Sequence, residues 1–325
     1  MTFARWSRRI GDALLDPTIV LSFDRTGYRR HAKDFDPEDL SQSLKGRVIA
    51  VTGANSGIGL ATSRALAQRG ATLWMLCRSE ERGREAAAVI TAEFPDSELH
   101  VVPLDLACPE SVSSVLSRVP KGALDVLIHN AGVLPRTYEE TAWGLELTLA
   151  TNLVAPFRLT FELLPRLDAG ARARVIWVSS GGMYTQRLEV DRLTPREEGF
   201  DGVIAYARTK RAMVVLSEQL SERLEPRGIA VHAMHPGWAD TPGVESSIPG
   251  FWKLTQRILR SPEEGADTVV WLAGCDKAQG QSGRFWFDRK PRSTHLLGKR
   301  ATADERHRLW EQLHQWARMP EAVES

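Results

Sequence analysis

Residues 47–59, RVIAVTGANSGIG, constrain the fold more than any other stretch of the chain. The run 48–51 is short, apolar and rich in β-branched residues, which is typical of a strand buried on both faces of a parallel sheet. From Ile58 onwards, apolar residues recur at helical spacing as far as Gly70. The glycines between these segments therefore lie in a strand-to-helix turn, whose free backbone N–H groups can bind an anion such as a pyrophosphate.

The spacing of this turn is Thr-Gly-x-x-x-Gly-x-Gly, starting at Thr52, and Asn130, Ala131 and Gly132 follow a later buried run. Together these motifs resemble the short-chain dehydrogenase/reductase family, and the resemblance extends from about residue 44 to about residue 287. It implies an α/β fold with a doubly wound parallel sheet, the Rossmann fold, and helices on both faces. We expect seven strands in the order 3-2-1-4-5-6-7.

Composition excludes several other classes of protein. With 325 residues, 42% hydrophobic, the chain can bury the core of one large α/β domain. A net charge of +1 argues against nucleic-acid binding. Cys77, Cys108 and Cys275 are far apart and lack metal-ligand spacing, so we expect reduced thiols in a cytoplasmic protein without a metal. The chain has neither the Gly-x-Ser-x-Gly elbow of serine hydrolases nor the Gly-Lys-Ser/Thr of P-loop proteins.

The domain organisation predicted from these patterns has three parts. Residues 1–43 form an N-terminal helical extension, residues 44–290 the Rossmann-fold domain with a substrate lid at about 238–260, and residues 291–325 an extension with a helix. Residues 1–23 carry an apolar helical face that either packs on the domain or a second subunit, or lies on a membrane surface. No run of residues has the length or apolarity of a membrane span or a signal peptide.

Arg78 follows the second predicted strand, where an acidic residue would favour NAD(H) and a basic one favours the 2′-phosphate of NADP(H). No acid lies between residues 72 and 79, so the sequence favours NADP(H), although Arg78 could equally be a solvated charge. The family resemblance implies that Asp105 and Leu106 bracket the adenine and that Pro236, Gly237 and Thr241 meet the nicotinamide. The expected cofactor-binding residues are Thr52, Gly53, Asn55, Ser56, Gly57, Ile58, Gly59, Arg78, Asp105, Leu106, Asn130, Ala131, Gly132, Tyr206, Lys210, Pro236, Gly237 and Thr241.

Tyr206 and Lys210 are four residues apart and therefore project from one helix face, where the ammonium can stabilise a phenolate. The resemblance implies that Tyr206 is the proton donor and that Ser180, the second serine of a pair, binds the substrate oxygen. Pro156 removes a helical N–H and leaves the carbonyl of Asn152 free to hold a water, and the resemblance implies a water relay at Asn152. The expected catalytic residues are thus Asn152, Ser180, Tyr206 and Lys210.

Residues 183–203 form an insertion between Ser180 and Tyr206 that is similar to the retinol-dehydrogenase-like branch of the family. It could shape substrate entry, form a solvated loop or contact a second subunit. The sequence further predicts a bulky apolar aldehyde, ketone or alcohol as substrate, a lid with an amphipathic helix, and a homo-oligomer. The expected substrate residues are Met183, Trp238, Phe251 and Trp252. The rival hypothesis is a non-catalytic dinucleotide-binding sensor on the same fold.

Overall fold

The computed structural model describes residues 22–168, 170, 172–295 and 300–319. The predicted apolar face at the N-terminus thus lies almost entirely outside the described residues. The described chain contains one sheet in the order β3-β2-β1-β4-β5-β6-β7-β8. The strands are β1 Val48–Thr52, β2 Thr72–Cys77, β3 Leu99–Pro103, β4 Val126–His129, β5 Arg174–Val178, β6 Ala230–Met234, β7 Phe285–Phe287 and β8 Lys290–Arg292.

Strands β1 to β7 are parallel and follow the predicted order, which is confirmed. Strand β8 was not predicted, and it pairs antiparallel with β7 at the sheet edge. Asp288 and Arg289 between these two strands have φ values of 49° and 55°, a left-handed conformation suited to a tight hairpin turn. The run FDRKPR contains no glycine or asparagine at that turn, so it does not resemble a hairpin signal.

Helices cover both faces of the sheet and supply the crossovers between parallel strands. They are α1 Arg25–His31, α2 Gly57–Ala67, α3 Glu80–Glu93, α4 Pro109–Ser113, α5 Val115–Arg118, α6 Leu147–Leu149, α7 Ala155–Glu162, α8 Leu164–Leu167, α9 Gly202–Leu224, α10 Pro242–Ser247, α11 Pro249–Thr255, α12 Pro262–Gly274 and α13 Ala303–Trp316. A π-helical segment, Ala150–Val154, joins α6 to α7.

The buried apolar side chains form one cluster on each side of the sheet. Trp177 and Phe157 belong to the cluster that packs under α7, α9 and α13. Trp286 and Met75 belong to the other, under α2 and α12. Every residue of β4, β5 and β6 is buried, as expected for parallel strands covered on both faces.

Residues 26–28, Thr-Gly-Tyr, have the composition of a turn but lie in helix α1. Asp24 caps this helix: its Oδ1 accepts hydrogen bonds from Gly27 N at 2.9 Å and Thr26 Oγ1 at 2.7 Å. The helix expected to contain Asn152 and Pro156 is not continuous, since α6 begins at Leu147 and the chain then passes through the π-helical segment. Pro156 lies in the first turn of α7, where a missing N–H is tolerated.

The three cysteines are unpaired thiols. Within the described part of the chain, no helix has the length and apolar composition needed to cross a membrane.

Candidate active site

The glycine turn after β1 is closely packed. Gly53 and Gly57 have φ values of 65° and 51°, which favour glycine. A Cβ atom on Gly59 would lie 2.1 Å from the carbonyl oxygen of Gly53, so only glycine allows α2 to approach the turn this closely. Thr52 Oγ1 accepts hydrogen bonds from the backbone N–H groups of Asn130 and Ala131, both at 3.0 Å. The two sequence motifs are thereby joined into one surface.

A cavity of about 350 Å³ opens over this surface at the carboxyl ends of β1 and β2. The predicted cofactor residues that line it are Thr52, Gly53, Asn55, Ser56, Gly57, Ile58, Gly59, Arg78, Asp105, Leu106, Asn130, Ala131, Gly132 and Thr241. Arg82, which the sequence analysis did not select, also lines it, from the first turn of α3. The sequence signal for Arg82 is that it is a second basic residue, four positions after Arg78. It does not stand out, because its neighbours in the sequence are also charged.

A second cavity, of about 680 Å³, adjoins the first. Ile58, Asn130, Gly132 and Thr241 line both cavities. The remaining predicted residues in the wall of the second are Ser180, Tyr206, Lys210, Pro236, Gly237, Trp238 and Phe251. The structure therefore brings Ser180, Tyr206, Lys210 and the predicted nicotinamide-contacting residues into the wall of one cavity, whereas Asn152 lines neither cavity.

Ser180 and Tyr206 lie together in the wall of the second cavity. Burial raises the pKa of the Tyr206 phenol, and the nearby hydroxyl of Ser180 lowers it by a smaller amount. Ser179 points elsewhere, because its Oγ donates a hydrogen bond to the carbonyl of Lys210 at 3.1 Å. Of the two neighbouring serines, Ser180 is thus the one that meets the phenol.

Lys210 is almost completely buried, one turn of α9 beyond Tyr206. Its Nζ donates a hydrogen bond to the carbonyl of Val178 at 2.8 Å and lies 5.4 Å from the centre of the Tyr206 ring. Burial lowers the pKa of this amine to about 7. Lys210 can therefore change its protonation state near neutral pH.

Asn152 lies in the π-helical segment, and its side chain bonds to the backbone of Val133. Its Oδ1 accepts from Val133 N at 2.8 Å, and its Nδ2 donates to Val133 O at 2.9 Å. These bonds fix the segment after β4, which lines both cavities. π-Helical turns are frequent at functional sites.

Residues 47–250 match the family model of the short chain dehydrogenases. This chain belongs to the short-chain dehydrogenase/reductase family. It is 42% identical to dehydrogenase/reductase SDR family member 12 of Bos taurus, over 91% of this chain and 94% of that protein. Residues 26–28, 234–244 and 287–295 resemble the same member 12 type, and the identity over nearly the whole chain confirms that resemblance.

Two further relatives bear on the site of this short-chain dehydrogenase/reductase. Human retinol dehydrogenase 12 is 33% identical, over 82% of this chain and 85% of that protein. The crystal structure of a short-chain dehydrogenase from Escherichia coli CFT073 complexed with NADPH has a TM-score of 0.63 and 27% identity, and it covers 78% of this chain and 100% of that one.

The four predicted substrate residues of this dehydrogenase/reductase separate into two pairs. Trp238 and Phe251 line the second cavity, with ring centres 5.2 Å apart. Met183 is fully buried in the core, and Trp252 donates a hydrogen bond from Nε1 to Asp240 Oδ1 at 2.8 Å; neither lines the cavity. Helical periodicity could not separate them, because it does not show which face of the lid meets the sheet.

The lid consists of two short helices, α10 and α11, rather than one amphipathic helix. The insertion before Tyr206 is anchored by Leu188, Val190 and Leu193, which contribute to the core, but most of its residues are exposed. Thr185 and Val203, near its two ends, line the second cavity. The insertion of this dehydrogenase/reductase therefore reaches the cavity wall near its ends and is otherwise largely solvated.

Proposed function

We propose that this protein is an NADP(H)-dependent oxidoreductase that interconverts a carbonyl and an alcohol on a bulky hydrophobic substrate. The observation that carries this proposal is the junction of the two cavities. One cavity is bounded by the glycine turn, and the other has Ser180 and Tyr206 together in its wall. At such a junction, a dinucleotide and an organic substrate would lie side by side.

The residues of the first cavity fit a dinucleotide. A Cβ atom on Gly57 would lie 3.2 Å from Thr241, and a Cβ atom on Gly132 would lie 3.5 Å from Lys210 Nζ. Glycine at both positions therefore keeps this space open. Backbone N–H groups at the start of α2 would hold the pyrophosphate. Asp105 and Leu106 would bracket the adenine, and Pro236, Gly237 and Thr241 would meet the nicotinamide. When bound, this cofactor would donate a hydride to a carbonyl or accept one from an alcohol.

The side chains would then handle the proton and the oxygen. Tyr206 would donate its phenolic proton to the developing alkoxide oxygen, which Ser180 would hold by a hydrogen bond. Lys210 would bind the ribose hydroxyls and, as an ammonium, stabilise the phenolate that remains. The free carbonyl expected at Asn152 would hold a water that returns the proton to this site.

NADP(H) is favoured over NAD(H) because two guanidinium groups, Arg78 and Arg82, line the outer part of the first cavity. Arginine forms strong paired hydrogen bonds with phosphate. The NADPH complex of the Escherichia coli relative is consistent with this preference.

A neutral, apolar substrate is favoured by the lining of the second cavity. Tyr206 and Lys210 are the ionisable side chains among its described lining residues. Trp238, Ile248 and Phe251 supply apolar surface from the lid side. A hydrophobic aldehyde, ketone or alcohol fits this lining, whereas a carboxylate or phosphate would find Lys210 as its single cation there. The similarity to retinol dehydrogenase 12 supports the same class.

The proposal is tested with the Tyr206→Phe variant and NADPH oxidation over a panel of hydrophobic aldehydes and ketones. We expect turnover to fall by about 100-fold or more, since general acid catalysis contributes roughly that much. The affinity for NADPH, measured by calorimetry, should not change.

Tyr138→Phe is the matched control, because Tyr138 packs against Phe200 and does not line either cavity. Equal turnover in the two variants would contradict the role of Tyr206. NADPH binding without oxidation by any carbonyl in the unaltered protein would favour the non-catalytic sensor.

A further inference from the structure

The turn that carries Ser180 is held from outside the two cavities by His235 and Phe23. The Nδ1 atom of His235 accepts a hydrogen bond from the backbone N–H of Gly181 at 3.0 Å. A Cβ atom on Gly181 would lie 2.5 Å from Phe23 Cε2 and 2.9 Å from His235 Nε2. Both rings thus press directly on the residue that follows Ser180. Ser180 Oγ in turn accepts from Gly182 N at 3.2 Å, so the whole turn shifts if Gly181 shifts.

His235 is a neutral imidazole of defined tautomer. It follows β6, is 1% exposed, and its backbone N–H donates to the carbonyl of Trp286 at 2.9 Å. Because Nδ1 accepts from Gly181, the ring proton is on Nε2. Within the described residues, Nε2 is buried without a hydrogen-bond partner. An unpaired buried donor destabilises the fold, so stability alone favours an apolar side chain here. The hydrogen bond that Nδ1 accepts from Gly181 N is therefore the reason for a histidine at this position.

Phe23 reaches this turn because hydrogen bonds hold the segment before α1 beneath the lid. The carbonyl of Phe23 accepts from Trp238 N at 2.8 Å, and the ring centre of Phe23 is 4.4 Å from that of His235. Arg260, at the base of the lid, donates from Nε to Asp24 O at 3.1 Å and from Nη2 to Ser22 O at 3.0 Å.

A buried ion cluster also holds the segment before α1 in place. Arg260 donates to both oxygens of Asp288, at 2.6 and 2.9 Å, and His31 Nδ1 lies 2.6 Å from Asp288 Oδ2. Arg260 and Asp288 are each 1% exposed, and His31 is fully buried. The cluster therefore joins α1, the base of the lid and the β7–β8 turn into one unit.

We propose that His235 and Phe23 are positioning residues that set the orientation of Ser180 towards Tyr206, which makes the segment before α1 a working part of the active site. The inference rests on the proposed roles of Ser180 and Tyr206. His235 fixes the turn through the Gly181 N–H, and Phe23 prevents Gly181 from moving away. Neither residue touches the reacting atoms.

The first experiment follows the ionisation of Tyr206 by NMR in protein labelled with ¹³C at the phenolic ring carbon. The chain has four tyrosines, and Tyr206→Phe identifies the signal by its loss. Lys210 is the other ionisable group in the cavity wall among the described residues, and it is kept in every variant. Ser180→Ala gives the upper limit of the upward shift, because the Ser180 hydroxyl lowers the pKa of Tyr206.

We expect His235→Leu to raise the midpoint of the Tyr206 titration by about one pH unit, as loss of a hydrogen bond to the phenolate does. His235→Asn should stay close to the unaltered protein, since the amide oxygen can accept from Gly181 N. His232→Leu is the matched control: it removes an equally buried imidazole from β6 that contacts Trp286 rather than Gly181. It should leave the Tyr206 titration unchanged.

Three results overturn the proposal: an unchanged Tyr206 titration in His235→Leu, an equal shift in His232→Leu, or an Asn variant that titrates like the Leu variant. Because this readout needs no substrate, absence of turnover in the unaltered protein would reject the proposed function without affecting this test.

Kinetics and the Phe23 variants provide the second measurement. In His235→Leu, kcat should fall about 10- to 100-fold, as displaced catalytic groups cause, with the NADPH dissociation constant unchanged. Phe23→Ala should lower kcat similarly, whereas Phe23→Leu, which keeps most of the contact with Gly181, should lower it less. A loss confined to thermal stability, or a parallel loss of NADPH affinity, would assign both residues a structural role and overturn the proposal. If His235→Leu does not fold, the Phe23 and His235→Asn variants decide the question.

Discussion

Arg78 and Arg82 lie on one side of the first cavity, although one follows β2 and the other belongs to α3. Ser79 brings them together, because its Oγ caps α3 by accepting from Arg82 N at 3.3 Å. Both side chains are exposed, and neither has an ion-pair partner in the part of the chain that the structure describes. In the proposed function, these two guanidinium groups at the end of β2 bind the 2′-phosphate.

We predict that Arg78→Ala and Arg82→Ala each weaken NADPH binding about 10-fold or more, since a charged hydrogen bond contributes about 1.5–3 kcal/mol. NADH binding should be unaffected, and calorimetric titration with each nucleotide measures both. Arg84→Ala is the control on the same helix, because Arg84 pairs with Glu80 and lies outside this cavity. Equal loss of NADH and NADPH affinity would show that the arginines do not read the 2′-phosphate.

At the scale of single residues, the sequence predicts those residues whose pattern lies within one helix or one turn. The Tyr206–Lys210 spacing and the glycine turn depend on one helix or one turn, and both motifs line the cavities. Met183 and Trp252 were predicted to contact the substrate but do not line the second cavity, since the identity of a residue does not determine the direction in which its side chain points. The contact between His235 and Gly181 joins residues far apart in the chain, and a single sequence contains no signal for it.

Helix α11 of the lid is held to the turn after β6 by one side-chain hydrogen bond, from Trp252 Nε1 to Asp240 Oδ1. Phe251, beside Trp252, lines the second cavity and packs edge-to-face on Trp238. The bond therefore determines how closely α11 covers the proposed substrate cavity.

We predict that Trp252→Phe raises the KM for a hydrophobic carbonyl substrate about 2- to 10-fold, the equivalent of one lost hydrogen bond, with a smaller effect on kcat. Steady-state kinetics at saturating NADPH measure both constants. Leu254→Ala on the same helix should change neither, because Leu254 is 86% exposed. A fall in kcat with constant KM would mean that α11 contributes to the chemical step instead.

The elements that the sequence predicted well are those with strong periodicity. Strand β1 and helix α2 lie within a few residues of the predicted runs 48–51 and 58–70, and strands β1 to β7 have the predicted order. The failures are short elements determined by tertiary contacts. Helix α1 depends on the Asp24 cap and the His31–Asp288 contact, and β8 depends on pairing with β7. The π-helical segment has no period that a short run of apolar residues could show.

The whole molecule buries three neutral histidines in separate places: His129 in β4, His232 in β6 and His235 after β6. Desolvation lowers the pKa of each to about 3. His129 Nε2 lies 2.8 Å from Thr160 Oγ1, so this imidazole is packed and hydrogen-bonded. The three rings do not contact one another. Protonation of one ring is therefore not compensated by another.

These histidines predict acid sensitivity in a defined pH range. An unfolded histidine has a pKa of about 6.5. Between pH 6.5 and pH 3, each unfolded imidazole therefore binds a proton that the folded one does not, and the free energy of unfolding falls as the pH falls. Each histidine contributes a slope of about 1.4 kcal/mol per pH unit in this range and none above it. Other groups act in other pH ranges. Lys210, with a folded pKa of about 7, makes the free energy of unfolding rise with pH between pH 7 and about pH 10.4. Asp288, whose pKa Arg260 and His31 lower against the effect of burial, acts below about pH 4.

The measurement is the free energy of unfolding in urea from pH 8 to pH 5, for the unaltered protein and for His232→Leu. Removing one buried histidine should reduce the slope below pH 6.5 by about 1.4 kcal/mol per pH unit and leave the curve above pH 7 parallel to that of the unaltered protein. The variant should therefore lose less stability on acidification, even where it is less stable at pH 8 through its lost contact with Trp286. Parallel curves over the whole range would show that His232 binds its proton in the folded state as it does in the unfolded state. A local opening of the sheet at β6 would then be needed to expose this imidazole to water.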